Sequence, residues 1–246
     1  MRVPRIFHPE PLHDGLTASL SADSVQHLVK VLRMSEGQPV TLFTGDGYDY
    51  HAVLTAVSKR SAAARVQSVV RNASESPTWI HLGQVISRGD RMDFVLQKSV
   101  ELGVSELTPL FSERCGVKLS GERLEKKQQQ WQKIVIGACE QSGRSLVPTV
   151  NKPVALEQFT EQADSGLKLT LDPLAELPLS ELTRQSADLS QVRLLIGPEG
   201  GFSQTEVEHA RQNHYQPMRL GPRILRTETA ALTALSLLQY QLGDLA

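Results

Sequence analysis

After Pro77, short apolar runs alternate with helical segments, and that alternation leaves few architectures open. His81–Ser87, Glu106–Phe111, Leu167–Leu171 and Val192–Ile196 read as strands, the last two as buried parallel ones. Between them Asp90 opens a helix that runs through Leu102 and stops at Gly103, and Glu122–Gln141 forms a longer one. Strands separated by helices cross over and return in the same direction. The spacing therefore predicts an α/β fold with a mostly parallel sheet. Ahead of the polar linker Arg71–Pro77 the pattern differs. Ser24–Met34 places Val25, Leu28, Val29 and Leu32 on one helical face. Pro39–Phe43 and Tyr48–Val57 are β-rich runs around Gly45-Asp46-Gly47, a hairpin signal, and Ala63–Val70 supplies a further strand. The expected organisation is a small β-barrel with one helix over 1–72, then an α/β domain over 73–246.

Composition narrows the function classes. A net charge of −1 over 246 residues argues against a general nucleic-acid coat, which needs a strongly basic field, while leaving room for a local patch. Residues 1–77 carry eight Lys/Arg against seven Asp/Glu, so that part is not globally basic either. The two cysteines, Cys115 and Cys139, have neither metal nor redox spacing, which fits a reduced cytoplasmic setting without a metal. Met1–Gly15 has prolines and charges where a signal peptide needs an apolar core, and no run approaches membrane-spanning length. The expectation is a soluble cytoplasmic protein without membrane contact.

Two glycine-rich turns carry the chemistry. Ile196 is followed by Gly197-Pro198-Glu199-Gly200-Gly201-Phe202, and Ser203 with Glu206 then forms a capping box for the helix Gln204–Asn213. Such a turn suggests a ligand at a helix N-terminus. Phosphate is disfavoured, because Pro198 removes a backbone donor and Glu199 places a negative charge at the mouth, with no Walker lysine nearby. A neutral or cationic ligand fits better, such as an adenosine carrying a sulfonium. The second turn, Leu220-Gly221-Pro222-Arg223-Ile224-Leu225-Arg226, leaves Met218–Leu220 and leads to Thr227, read as the cap of a helix through Gln241 with Leu232, Leu235, Leu238 and Leu242 as its apolar stripe. Backbone groups of the two turns would read a planar edge while Ile196, Leu220, Ile224 and Leu225 pack on its face. Either turn alone reads equally well as an ordinary helix cap; two in one α/β domain favour a ligand site.

Ile196–Ser203 (IGPEGGFS) and Leu220–Ala230 (LGPRILRTETA) resemble the signature segments of the RsmE family, small-subunit ribosomal RNA uridine-N3 methyltransferases of the SPOUT superfamily. His27–Met34, Gln97–Val104 and Ala138–Arg144 support the resemblance, which runs from Arg2 to the C-terminus. It implies an N-terminal PUA-like barrel for RNA and a C-terminal domain with a deep trefoil knot. S-adenosyl-L-methionine (SAM) would sit in the knot against the two turns and the strand end at Leu171. It also implies a homodimer with the cofactor near the subunit interface. The substrate it implies is N3 of a decoding-region uridine of 16S ribosomal RNA, U1498, in an assembled or nearly assembled small subunit.

The candidate cofactor residues are thus Leu171, Ile196, Gly197, Pro198, Glu199, Gly200, Leu220, Gly221, Ile224, Leu225 and Thr227. Methylating a uracil nitrogen requires alignment, removal of the N3 proton and stabilisation of charge on the ring oxygens. Arg226 and Glu228, flanking Thr227, are the candidates for charge stabilisation and proton removal; their ordinary reading is a solvated arginine and a first-turn glutamate favoured by the helix dipole. Glu140, Gln141 and Arg144 are candidates for a second polar wall, whereas Lys98 and Glu101 read as a surface pair. His27, Lys30 and Arg33 recur every three residues opposite the apolar stripe, and with Arg2, Arg5 and Arg144 they are the candidate RNA contacts. From spacing alone, a merely solvated face reads better; the resemblance reverses that order. Two rivals stay open: a non-catalytic RNA-binding or ribosome-assembly factor with a vestigial SAM pocket, and a phosphate-using nucleotide enzyme.

Overall fold

The computed structural model describes residues 3–163, 165–172, 175–185 and 189–245, with the side chain of Gln185 left aside. The chain forms two compact units. One is Met1–Glu75 with Cys139–Val147, the other Ser76–Ala138 with Pro148–Ala246. The first unit therefore includes a segment, Cys139–Val147, that lies far from it in sequence.

Five strands build the first unit: β1 (Arg5–Phe7), β2 (Thr17–Ser19), β3 (Pro39–Phe43), β4 (Tyr48–Val57) and β5 (Ala62–Arg71). Their order is β1-β3-β4-β5-β2, with β1 parallel to β3 and the other pairings antiparallel. Alternate residues of β4, Tyr50, Ala52 and Leu54, point inward, the period-two signature of a sheet with one buried face. They join Ile6, Leu28, Leu42 and Val66 in one core. The expected helix over Ser24–Met34 takes a different form. Helix α1 (Ala22–Val25), capped by Ser21, passes directly into a π-helical turn, Gln26–Val31. The wider turn keeps Val25 and Leu28 buried but leaves Leu32 at 41% exposure, so the apolar stripe does not extend to it.

The second unit contains β6 (Trp79–Val85), α2 (Asp90–Glu101), β7 (Glu106–Phe111), α3 (Gly121–Ser142) as far as Ala138, β8 (Thr149–Val150), β9 (Val154–Ala155), α4 (Leu156–Thr160), β10 (Leu167–Leu171), α5 (Leu179–Gln185), β11 (Gln191–Ile196), α6 (Gln204–Gln212), β12 (Gln216–Met218) and α7 (Thr227–Leu242). The sheet order is β12-β10-β11-β6-β7-β8, with β9 also beside β7, and every recorded pairing is parallel. The α/β fold expected from the alternation is present. Strand β6 begins at Trp79 rather than His81, because Gln191 pairs there, and ends at Val85 opposite Leu110. Helix α7 buries Ala231, Ala234, Leu235 and Leu238; Leu232 and Leu242 lie only partly buried, so its inward face is rotated from the leucine stripe. Gly83 on β6 is required by packing: a Cβ there would stand 2.5 Å from the Phe159 ring.

The N-terminal half of this sheet holds a polar row, buried except at Glu106. Lys168, Arg193, His81 and Glu106 stand in register on β10, β11, β6 and β7. The Arg193 guanidinium lies 4.2 Å over the Phe159 ring and bonds the Phe159 carbonyl at 3.1 Å. Burial, reinforced by the Arg193 charge, pushes His81 down to about 3, and its Nε2 meets the Thr108 hydroxyl at 2.7 Å.

Candidate functional site

The carboxyl ends of β12, β10 and β11, adjacent strands in the sheet, bring Met218, Leu171 and Ile196 together. Beyond them lies a cavity of about 1090 Å³. The chain passes from β10 to β11 on one side and later to β12 on the other, the arrangement in which parallel sheets open a crevice at their strand ends. Leu171, Ile196, Gly197, Pro198, Glu199, Leu220, Gly221, Ile224, Leu225, Arg226 and Thr227 all line it. The two glycine-rich turns, more than twenty residues apart in sequence, thus face one space.

Each turn is held by identifiable bonds. In the first, the Ser203 and Glu206 capping box forms in both directions, at 3.3 and 2.8 Å, and fixes the start of α6. Glu206 also accepts from the Glu113 backbone amide at 2.7 Å. Arg114 donates to the Gly200 carbonyl at 2.9 Å, and Gly200 does not line the cavity. Its role differs from the expected one: it ties the turn to the β7–α3 connection. In the second turn Gly221 has φ 74°, which favours glycine, and a Cβ there would meet nothing within 4 Å.

A latch joins the turns. The Thr227 hydroxyl donates to the Gly197 carbonyl at 2.7 Å and accepts from Gln84 Nε2 at 3.0 Å. Thr227 is therefore not the helix cap; Arg226 occupies that position, without a side-chain capping bond, and is free of the packing that holds Thr227. Gln84, 1% exposed at the end of β6, also donates to the Val85 carbonyl. The cavity wall also carries polar and charged groups, among them Asp172, Glu176, Arg223 and Arg226. The Thr170 hydroxyl, on a residue lining the wall, has no partner among the described residues. Arg91, at the start of α2, pairs with Glu199 at 2.9 Å and stands 4.0 Å from Glu228. Glu228, unlike Arg226, does not line the cavity, and its Oε2 is buried with no hydrogen-bond partner among the described residues.

Gln84, Arg91, Arg114 and Thr170 are functional candidates that sequence reasoning misses. Gln84, Arg91 and Arg114 meet their partners across separations of 143, 108 and 86 residues, for which no local pattern exists. Lys98 and Glu101 form the surface pair expected, at 2.8 Å. The supposed second polar wall does not line the cavity. Glu140 instead accepts from the Phe7 amide at 3.0 Å, and burial raises its carboxyl above the usual range. Burial likewise pushes the Cys139 thiol up to about 12, which suits it to packing rather than nucleophilic attack.

The candidate RNA contacts separate into two groups. His27, Lys30 and Arg33 are exposed on and just after the π-helical turn. Arg5 and Arg144 are not available in the same way. Arg5 forks onto Asp49 at 2.9 and 3.0 Å, and Arg144 onto Glu75 at 2.6 Å, with side chains 9% and 6% exposed. Burial works against the Asp49 charge, but hydrogen bonds from Arg5, Ser145 and Asn72 outweigh it and hold its carboxyl below the usual range. Arg2 lies outside the described residues. Among the described residues there is no cluster of three or more His, Cys, Asp or Glu able to hold a metal, and no helix long and apolar enough to cross a membrane.

Comparison with known proteins agrees with this arrangement. The pattern of the RNA methyltransferase domain matches residues 74–239, and that of the RNA methyltransferase PUA domain matches residues 20–67. The ribosomal RNA small subunit methyltransferase E of Buchnera aphidicola is 37% identical over 246 residues, covering 100% of this chain and 99% of that protein. Its Bacillus subtilis counterpart is 32% identical, with 94% and 93% covered. Among solved structures, a putative methyltransferase from Legionella pneumophila with SAM bound is 45% identical over 99% of this chain and 100% of its own, with a TM-score of 0.94. The Neisseria gonorrhoeae ribosomal RNA small subunit methyltransferase E, also with SAM bound, is 39% identical over all of both chains, with a TM-score of 0.92. With its α/β unit matched almost throughout and its relatives aligned nearly end to end, the chain belongs to the RNA methyltransferase family, among the ribosomal RNA small subunit methyltransferase E proteins.

Proposed function

We propose that this protein is a SAM-dependent methyltransferase of small-subunit ribosomal RNA, acting at N3 of a uridine in the decoding region. The observation that carries the reading is the single cavity onto which both glycine-rich turns open, joined through Thr227 and Gly197. The residues suit the cofactor. Leu171, Ile196, Leu220 and Leu225 offer apolar walls for a purine, Thr170 a hydroxyl in need of a partner, and Glu199, paired with Arg91, a carboxylate compatible with a sulfonium. When bound, SAM supplies a methyl group whose bonding pair returns to sulfur as the N3 lone pair forms the new bond.

The chain's own residues complete the chemistry. Glu228, at the start of α7 where the helix dipole favours a carboxylate, takes the N3 proton. Arg226, exposed and lining the cavity, stabilises the charge that spreads onto the uracil oxygens. The N-terminal unit grips RNA through His27, Lys30 and Arg33, while Arg5 and Arg144 stiffen that unit. A trefoil knot, a homodimer and a cytoplasmic location belong to the same reading; Leu237 and Tyr240, exposed on α7, are consistent with a covered face.

Calorimetry with SAM and ATP, together with mass mapping of small-subunit ribosomal RNA from cells lacking the gene, tests the proposal. The expected outcome is SAM binding without ATP binding, and loss of one methyl group from one decoding-region uridine. An unchanged RNA methylation pattern would refute the assigned reaction.

A further inference from the structure

We propose that Arg91 is a positioning residue for methyl transfer, held by Glu199 at a distance from which it stabilises the charge on Glu228 without occupying it. The proposal rests on the reading of Glu228 as the group that takes the proton.

Three charged side chains from three separate segments meet beside the cavity: Arg91, which opens α2, and Glu199, in the first turn, line it, and Glu228, which begins α7, stands next to Arg91 without lining it. The two contacts of the arginine are unequal. Its terminal nitrogen NH1 makes a hydrogen-bonded ion pair with Glu199 at 2.9 Å. Its Nε stands 4.0 Å from Glu228 Oε1, too far for a hydrogen bond and close enough for a strong Coulombic effect. Glu228 is the more enclosed carboxylate, with a side chain 16% exposed against 36% for Glu199. One of its oxygens is buried without a donor among the described residues.

Such an arrangement is a poor stabiliser and a suitable device. The Arg91–Glu199 pair is too exposed to contribute much to folding, since surface ion pairs have little net value. A half-buried carboxylate without donors is costly unless a cation stands nearby. An arginine forked onto that carboxylate would fill the lone pairs that must receive a proton. Glu199 prevents this by holding the guanidinium to itself. The cation then faces Glu228 Oε1 without a hydrogen bond to it, which leaves that oxygen open to a donor from the substrate.

The test uses the full-length protein with Arg91→Ala and Arg91→Lys, each in the wild-type and Glu228→Gln backgrounds. Melting temperature, SAM affinity by calorimetry and single-turnover methylation of small ribosomal subunits are measured; single-turnover rates remain readable after large losses. We expect Arg91→Ala to slow methylation by roughly tenfold or more with SAM affinity changed less than about twofold, as befits an electrostatic effect on the chemical step. Arg91→Lys should recover most of the rate. In the Glu228→Gln background, Arg91→Ala should add less than about a twofold further loss, because the two residues act as one unit.

Three results would overturn the proposal: an Arg91→Ala enzyme with the wild-type rate, one whose defect is confined to SAM affinity, or one whose full loss is repeated in the Glu228→Gln background. The underlying reading fails separately. A Glu228→Gln enzyme with wild-type activity would remove Glu228 as proton acceptor, whatever Arg91→Ala does. An inactive or slow Glu228→Gln enzyme with independent Arg91 effects would remove only the positioning role.

Discussion

Replacing Thr227 by valine removes one oxygen and keeps the side chain's shape, so it isolates the latch between the two turns. The Gly197 carbonyl would lose its donor and Gln84 one acceptor. Leaving buried polar groups unpaired costs about 1–3 kcal/mol, and the first turn should loosen with it. We expect Thr227→Val to lower both the melting temperature and SAM affinity, and Thr227→Ser to retain them; calorimetry and thermal unfolding read the two effects. Gly221 is complementary. A side chain there meets no protein atom, yet its φ of 74° strains any L-residue by roughly 1–2 kcal/mol. Gly221→Ala should therefore show mainly that stability loss, whereas Gly221→Val projects two methyls into the open cavity and should abolish SAM binding. Wild-type affinity in the valine variant would take this turn out of the site. The glycine was legible in the sequence because the backbone turn announces it. The task of Thr227 was not, because a threonine before an α-helix reads as a cap until its distant acceptor, thirty residues earlier, is seen.

At the scale of elements, strands were the most readable part. The ranges of β3, β4, β7 and β10 follow from short apolar or β-branched runs bounded by turn residues, since a strand's environment repeats every two residues or is buried throughout. The segment after Ser21 was harder. A stripe of Val25, Leu28, Val29 and Leu32 implies one α-helix, but the chain widens into a π-helical turn over Gln26–Val31, a choice made by packing against the strands of its unit. The consequence is functional. Val31 is 64% exposed beside Lys30, and Arg33 has φ 54°, so the turn displays its cations outside the regular helix. Lys30→Glu combined with Arg33→Glu should weaken binding to small-subunit RNA by tenfold or more while leaving SAM affinity unchanged. Two lost phosphate contacts should also reduce the salt dependence of binding by about 0.7–0.9 per contact in the log–log slope. Filter binding over a salt series checks both numbers. An unaltered slope would reduce the patch to a solvated surface.

At the scale of the whole molecule, what escapes sequence reasoning is register and distance. Nothing in the strands themselves says that Lys168, Arg193, His81 and Glu106 will line up across four parallel strands, or that Cys139–Val147 will join the N-terminal unit. These arrangements depend on which strands become neighbours, and each has a measurable consequence. His81 is 3% exposed and held neutral, down to about 3, by burial and by the charge of Arg193, while an unfolded histidine titrates near 6.5. Between those values the unfolded chain binds the extra proton and the folded chain does not. The contribution of His81 is thus complete above about pH 6.5 and lost as pH falls toward 3, with a limiting slope of about 1.4 kcal/mol per pH unit. Both tryptophans, Trp79 and Trp131, lie in the second unit, and Trp79 packs edge-on to His81 at 5.5 Å, so fluorescence follows the unfolding of the unit concerned. In the other unit Asp49, whose carboxyl is held down in the folded state, stabilises fully above its ordinary value of 3.8 and loses that contribution only as pH falls below it. Denaturant unfolding from pH 6.5 to 4.5 should therefore show the second unit losing stability on acidification. His81→Gln, which keeps a donor for Thr108 and removes the titration, should flatten that slope by up to one proton. If both proteins lose stability at the same rate, the histidine is not buried neutral, and the polar row across the sheet does not have the electrostatics described for it.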